Sequence, residues 1–358
     1  MLAETVGLEY VTDEVPGIRR EKSSEGFCYI SSGGKPIRDE GVLKRIRSLV
    51  IPPAWTEVWI CASSHGHLQA TGRDARGRKQ YRYHARWRAV REETKYARMI
   101  AFGRGLSKVR KQVRKDMALP GLSRRKVLAT LVRLLETSLI RVGNEEYERQ
   151  NDSYGLTTMK DRHVRVKGSE ICFRFRGKSG KHHQIDVQDR RLARIVKKCQ
   201  DLPGQDLFQY VDDGGEIQDV KSTDVNEYLG QITGADFTAK DFRTWAGTIL
   251  AAMAFQEFRE FDSHAAAKRN ITRAIESVAA RLGNTPAICR KCYVHPDIVA
   301  GYLDDTLARA LSRRADRLSS DLGHLRPEEA AVLALLQRRL AAEKRSIKSK
   351  TFSRRTLV

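Results

Sequence analysis

What most constrains this chain is a change of hydrophobic period partway along it. Beyond Ser123, which is placed to cap a helix, Val127, Leu128, Leu131, Val132, Leu135, Leu139, Ile140 and Val142 recur at three- and four-residue intervals, the spacing of one helical face. The pattern predicts an amphipathic helix ending near Gly143. Between His163 and Val187 the interval drops to two. It runs through Val164 and Val166, then Ile171, Phe173 and Phe175, then Ile185 and Val187, with turns at Gly168-Ser169 and Gly177-Lys178-Ser179-Gly180. Such alternation predicts a three-stranded β-meander. The two periods together predict an α+β fold.

Upstream, Phe27-Cys28-Tyr29-Ile30 and Val58-Trp59-Ile60-Cys61, cut by Gly33-Gly34 and Pro52-Pro53, predict a small β-rich module from Gly26 to about Tyr83. After Tyr83 helix formers take over. The remainder beyond the meander reads as mostly helical, with breaks at Pro203-Gly204, Gly214-Gly215, Gly283 to Pro286 and Gly323, and without a repeat of fixed period. At 358 residues the chain has room for two domains. They are expected at 1–94, small and β-rich, and at 95–358, larger and mainly α-helical. A helix from about Pro327 should fray into a basic tail, since Arg338 to Val358 hold eight basic residues and one acid.

Charge narrows the partners. Lysine plus arginine number 66 and aspartate plus glutamate 44, a formal net charge of +22, which predicts a polyanionic partner. Between Arg73 and Lys115 sixteen basic residues face three acids, too one-sided for a solvated helix face alone. Nucleic acid is the expected partner. With 41% apolar residues the chain is no disordered basic tail. Its longest apolar run, Ile249 to Phe255, covers seven residues where a membrane span needs about twenty. No membrane partner is expected, and the opening Met-Leu-Ala-Glu-Thr lacks a secretory pattern, so the expected location is the cytoplasm.

Two motifs lead away from cofactors. Cys289 and Cys292 form a C-x-x-C, but a structural zinc site needs a second ligand pair at comparable spacing, and the six scattered cysteines read as free thiols. Gly177-Lys178-Ser179 resembles the end of a phosphate loop, which requires a glycine where Cys172 stands and a strand-loop-helix context. Neither a metal nor a nucleotide cofactor is expected. What remains is a lysine at a hairpin tip.

Four other segments carry groups suited to chemistry at a phosphodiester. They are Arg141 in Arg-Val-Gly-Asn-Glu-Glu-Tyr, Arg243 in Lys240-Asp241-Phe242-Arg243-Thr244-Trp245, Asn284 in Leu282-Gly283-Asn284-Thr285-Pro286, and Tyr293 after Cys289-Arg290-Lys291-Cys292. Taken singly, each is as readily a cap, a surface pair, a turn residue or a half-buried tyrosine. Together with Lys178, with Gly72 to Tyr83 and with Tyr154-Gly155-Leu156-Thr157-Thr158-Met159-Lys160, they resemble the poxvirus-like type IB DNA topoisomerases of viruses and bacteria. The resemblance extends from about Gly26 to about Asp305.

The resemblance implies roles. Tyr293 is the nucleophile that forms a 3′-phosphotyrosyl bond, Arg141 and Arg243 grip the non-bridging oxygens, and Lys178, aided by Lys240, protonates the leaving oxygen. Asn284 stands nine residues before Tyr293, where many relatives have histidine. Gln80, Tyr81, Tyr83, Arg73, Lys79 and Tyr147 are the implied contacts to double-stranded DNA. The implied fold is that shared with tyrosine recombinases, 1–94 acting as a DNA clamp and 95–358 as the catalytic domain of a monomer closed around the duplex.

These residue types suit the chemistry. A phenol with a reference pKa near about 10 is a weak nucleophile at neutral pH unless positive charge favours its anion. Two guanidiniums do that and also stabilise the extra charge of the transition state, while the leaving oxygen needs a proton from a nearby acid such as lysine. One phosphoester replaces another, so resealing needs no ATP. Two alternatives stay open on the residues alone. Tyrosine recombinases carry histidine where this chain has Lys240, and a DNA-packaging protein would need no tyrosine at this spacing.

Overall fold

The computed structural model describes residues 3–24, 26–258, 261–312 and 325–355, with the side chains at 5, 91–94, 344 and 346–355 outside that description. It divides into two compact units, Met1–Ala97 and Arg98–Val358.

The first unit is built on a five-stranded antiparallel sheet, of order β2-β1-β3-β4-β5. Its strands are β1 (Ile18–Ser23), β2 (Gly26–Ile30), β3 (Thr56–Ile60), β4 (Leu68–Arg73) and β5 (Lys79–Tyr83), with helix α1 (Glu40–Ser48) between β2 and β3. Ile18, Ile46, Trp55, Val58, Ile60 and Ala70 form its core. The charged β1 was not legible as a strand. Its sequence Ile-Arg-Arg-Glu-Lys-Ser offers one apolar residue, and its place is fixed by pairing on both sides and by Arg20, which donates to the carbonyls of Pro52 at 3.1 Å and Trp55 at 2.7 Å.

Helix α2 (Ala85–Asp116) leads into the second unit, which is mostly helical. There follow α3 (Arg124–Ser138) and α4 (Glu145–Asn151), then β6 (Val164–Lys167), β7 (Glu170–Arg176) and β8 (His182–Gln188), then α5 (Arg190–Gln200). Strands β6, β7 and β8 lie side by side in chain order, all antiparallel, and bury Val164, Ile171, Phe173, Phe175 and Val187 on one face. Beyond α5 come β9 (Gln209–Val211), β10 (Ile217–Asp219), α6 (Ser222–Thr233), α7 (Ala239–Glu257), α8 (His264–Leu282), α9 (Pro286–Cys292), α10 (Pro296–Leu303), α11 (Thr306–Ser312) and α12 (Pro327–Arg355). Among the described residues no helix is long and apolar enough to cross a membrane.

Three expectations are corrected. The helix expected to reach Gly143 stops at Ser138, whose hydroxyl donates back to the Leu134 carbonyl at 2.6 Å and accepts from the Ile140 amide, while Leu139 turns left-handed at φ 57°. Ile140 is thus buried and Leu139 half-buried as loop residues, and periodicity alone could not separate that from another helical turn. The break at Gly214-Gly215 proves to be the turn of a short hairpin, β9–β10, in which the Asp212 carboxylate accepts from the amides of Gly214 and Glu216. The backbone beyond Arg338 stays helical to Arg355 instead of fraying. The basic side chains of that tail from 346 onward lie outside the described residues, as does the break expected at Gly323.

Candidate active site

The site is seated on α7. Thr238 caps that helix, with the Asp241 carboxylate accepting from the Thr238 amide at 2.8 Å and hydroxyl at 3.0 Å. One turn in, Arg243 points into the core and is only 5% exposed. Its guanidinium donates to the Leu139 carbonyl and, at 2.6 Å, to the Leu282 carbonyl. Both acceptors exist because helices end there. α3 breaks at Leu139 and α8 at Leu282, leaving main-chain oxygens without helical partners. The Nε of Arg243 is buried with no hydrogen-bond partner among the described residues.

Arg141 lies two residues past the Leu139 break, on a segment held by its neighbours. Gly155 crosses it so closely that an added Cβ would stand 2.5 Å from the Gly143 Cα. The crossing is pinned by the Leu156 amide donating to the Arg141 carbonyl at 2.9 Å and the Thr157 amide to the Val142 carbonyl at 2.6 Å. This is the structural use of Tyr154 to Lys160. The Arg141 guanidinium donates to Asn284 Oδ1 at 2.7 Å, which leaves the buried Asn284 Nδ2 with no acceptor among the described residues.

Neither arginine has a carboxylate partner among the described residues. Burial draws the Arg243 guanidinium down to about 10, and the adjacent Arg141 charge adds to that, opposed by Tyr293. Burial lowers Arg141 as well, again with Tyr293 opposing. Two half-desolvated cations side by side are costly unless an anion joins them, so the geometry suits a phosphate.

Tyr293 ends α9, its amide donating to the Cys289 carbonyl at 2.9 Å. Its carbonyl rests against α7, where Thr248 Oγ1 lies 3.2 Å away and where a Cβ on Gly247 would approach within 2.7 Å. The phenol ring centroid is 5.6 Å from Arg243 Cζ. One helix therefore carries the buried guanidinium and also seats the tyrosine.

Lys178 is exposed at the β7–β8 turn, where Ser179 adopts φ 65°. It shares with Arg141, Arg243, Tyr154, His183 and Gly283 the lining of a cavity of about 30 Å³. Thus Arg141, Lys178, Arg243, Asn284 and Tyr293 converge from five separate segments. Lys240 does not line that cavity and is exposed on the first turn of α7.

The implied DNA contacts are on other elements. Tyr147 is 51% exposed on α4. In the first unit, Tyr81 and Tyr83 stack on β5 with centroids 6.0 Å apart, Tyr81 outward and Tyr83 packed toward Trp87. Lys79 pairs with Asp13 at 2.6 Å, Arg73 with Glu57 at 2.9 Å, and Gln80 Nε2 donates to Asp74 at 2.9 Å, so these three already hold intramolecular partners.

Sequence reasoning passed over His183, which stacks on Phe175 with centroids 5.2 Å apart. Burial, then Arg141 and Arg243, lower its pKa. Its only signal was the pair of distant glycines, Gly177 and Gly283, that make room for the ring.

Residues 84–315 match the family described as eukaryotic DNA topoisomerase I, catalytic core, and residues 26–74 that described as bacterial DNA topoisomerase IB, N-terminal domain. The DNA topoisomerase 1B of Acanthamoeba polyphaga mimivirus is 34% identical over 285 residues, covering 78% of this chain and 85% of the viral protein. That of vaccinia virus (strain Copenhagen) is 22% identical over 249 residues, covering 68% and 74%. The DNA topoisomerase 1 of Mycosarcoma maydis is 25% identical over 167 residues, 41% of this chain but 16% of the fungal protein.

Proposed function

Because this chain belongs to the type IB DNA topoisomerase family, we propose that it relaxes supercoiled duplex DNA by opening one strand through a covalent bond to Tyr293 and resealing it. Membership sets aside the packaging and recombinase alternatives. The observation that carries the mechanism is the pair of half-buried Arg141 and buried Arg243, without a carboxylate partner among the described residues, with the Tyr293 ring 5.6 Å from Arg243.

In this reading a DNA phosphate sits between the two guanidiniums. The Tyr293 oxygen attacks phosphorus, its proton passing to solvent, and the P–O5′ bond breaks. Lys178 gives its proton to the departing 5′ oxygen, leaving a 3′-phosphotyrosyl bond and a 5′-hydroxyl. The guanidiniums stabilise the charge that builds on the non-bridging oxygens, and Asn284 Nδ2 donates to one of them. Lys240, exposed on the first turn of α7, assists the proton transfer from outside the cavity. Torsion is released by rotation of the free 5′ end, and the reverse steps reseal the strand.

Arginines supply the positive charge and the phosphoester is conserved, so the cycle requires neither ATP nor a divalent cation. The amino-terminal unit, through Gln80, Tyr81, Tyr83, Arg73 and Lys79, and Tyr147 of the second unit hold the same duplex around a monomer. Arg73, Lys79 and Gln80 would exchange their present partners for DNA.

The test is plasmid relaxation in EDTA without ATP. The wild-type chain is expected to relax positive and negative supercoils, and Tyr293→Phe to relax neither and to form no covalent adduct. Relaxation by Tyr293→Phe would overturn the assignment of the nucleophile.

A further inference from the structure

We propose that His183 is a positioning residue for strand cleavage, its ring the spacer that sets the Lys178 hairpin against the Arg141–Asn284 side of the site. This inference rests on Lys178 being the proton donor, and it identifies what holds that donor in place.

The hairpin tip has little to fix it by itself. Lys178 is exposed, Ser179 is left-handed, and the turn is closed by Gly177 N to Lys181 O at 2.7 Å and Gly180 N to Gly177 O at 3.0 Å. Its base is tied to the neighbouring segment by Ser153 Oγ to Gly177 O at 3.2 Å and Tyr154 N to Arg176 O at 2.8 Å, but among the described residues none of these bonds reaches an arginine side chain of the site or the Leu282–Asn284 corner. Proton transfer tolerates little slack, since donor and acceptor must come within about 2.6–3.2 Å, and a displacement of about 1 Å can cost about a hundredfold in rate.

His183 spans that gap. It is the cross-strand partner of Phe175 and stacks on it at 26° between planes, which anchors the ring to the β7–β8 sheet. A Cβ added at Gly177 would lie 2.6 Å from the ring's Cδ2, and one added at Gly283 would lie 2.7 Å from its Cε1. Both glycine backbones therefore approach the imidazole more closely than any side chain could. Gly177 immediately precedes Lys178, and Gly283 immediately precedes Asn284.

Of the two sides, the second is the firmer. The Leu282–Asn284 corner is held by Arg243 through the Leu282 carbonyl, by Arg141 through Asn284 Oδ1, and by the Asn284 amide donating to Ala279 O at 2.9 Å. The hairpin has no comparable tie to it among the described residues, so a change in the spacer displaces Lys178 and leaves the arginines in place. Loss of the ring lets the tip settle inward, and a six-membered ring pushes it outward.

The experiment measures single-turnover cleavage by the full chain on two substrates that differ only in the leaving atom, a 5′ oxygen or a 5′ sulfur. Sulfur leaves as a thiolate and needs no proton. His183→Ala and His183→Phe are expected to slow cleavage of the oxygen substrate at least about tenfold and that of the sulfur substrate by less than about threefold. The ratio of the two rates comes from one preparation, so a smaller folded fraction cancels out of it. Equal slowing on both substrates, or no slowing on either, overturns the inference. Lys178→Ala, run beside them, separates the two levels. Rescue of that variant by sulfur, with equal slowing of the His183 variants, sinks the spacer and spares the proton donor. Absence of rescue sinks both.

Discussion

Arg141 and Arg243 differ in what holds them. Among the described residues Arg243 is tied by two main-chain carbonyls, whereas Arg141 is oriented by a single side chain, Asn284. Asn284 faces both ways, accepting from Arg141 and presenting Nδ2. A histidine there can accept through one nitrogen and donate through the other only while neutral. Once protonated it can no longer accept from Arg141 but gives a phosphate a charge-assisted bond. Asn284→His is therefore expected to change cleavage by no more than about tenfold at neutral pH, about the worth of one hydrogen bond. Its rate relative to wild type should rise as pH falls below about 6.5, where imidazole protonates. A pH–rate comparison of the two proteins checks this, and superimposable profiles would contradict it. Both arginines were legible in the sequence as charges next to apolar residues. His183 was not, because its surroundings come from glycines on two remote segments and leave no local pattern.

Among the elements, the cap at Ser123, the break at Gly283 and the start at Pro327 were legible, whereas α1 and the stop of α3 at Ser138 were not. The five apolar residues Val127, Leu128, Leu131, Val132 and Leu135 announced α3, yet the same rhythm continued through Leu139, Ile140 and Val142, across the break that frees an acceptor for Arg243. β1 and the β9–β10 hairpin escaped because a charged strand and a three-residue strand carry almost no alternation. The helices are fastened by a buried network in which Arg110 of α2 bonds Glu136 of α3 at 2.6 Å and Glu329 of α12 at 2.7 Å, with the Trp245 indole of α7 donating to Glu329 at 3.3 Å. Glu329 is 2% exposed, and although burial opposes its charge, Arg110 and Arg326 hold its carboxyl below the usual value of 4.5. Because the folded state binds the proton less readily than the unfolded chain, this stabilisation is complete above about pH 4.5 and is lost as pH falls further. Glu329→Gln should cost about 3 kcal/mol and lower Tm by roughly 6–12 °C in thermal unfolding at pH 7. The loss should shrink toward pH 3.

For the whole molecule the net charge of +22 decides how DNA is met. Association with a polyanion releases counterions, so affinity should drop by about three decades or more between 50 and 200 mM salt if six or more phosphates are contacted. Binding measured across that range tests it, and a flat response would count against a duplex held chiefly by its backbone. Deleting residues 346–358, which removes Lys348, Lys350, Arg354 and Arg355, should make the slope shallower by about one unit for each phosphate left unneutralised, with Tm unchanged. The charge could be read from composition. The site could not be assembled from it, since its five segments meet only through tertiary packing.

The Thr248 hydroxyl stands between the carbonyl of Tyr293 and the amide of His295, 3.2 Å from each, and so stitches both flanks of Tyr293, the proposed nucleophile, to α7. Both of these contacts are to main-chain atoms and not to the phenol. Replacing Thr248 with valine keeps the shape and removes the stitch, which raises the barrier seen from the intact strand and from the covalent adduct by the same amount. Thr248→Val should then take several times longer to reach its steady proportion of broken and sealed molecules and arrive at the same proportion, a change in tempo without a change in balance.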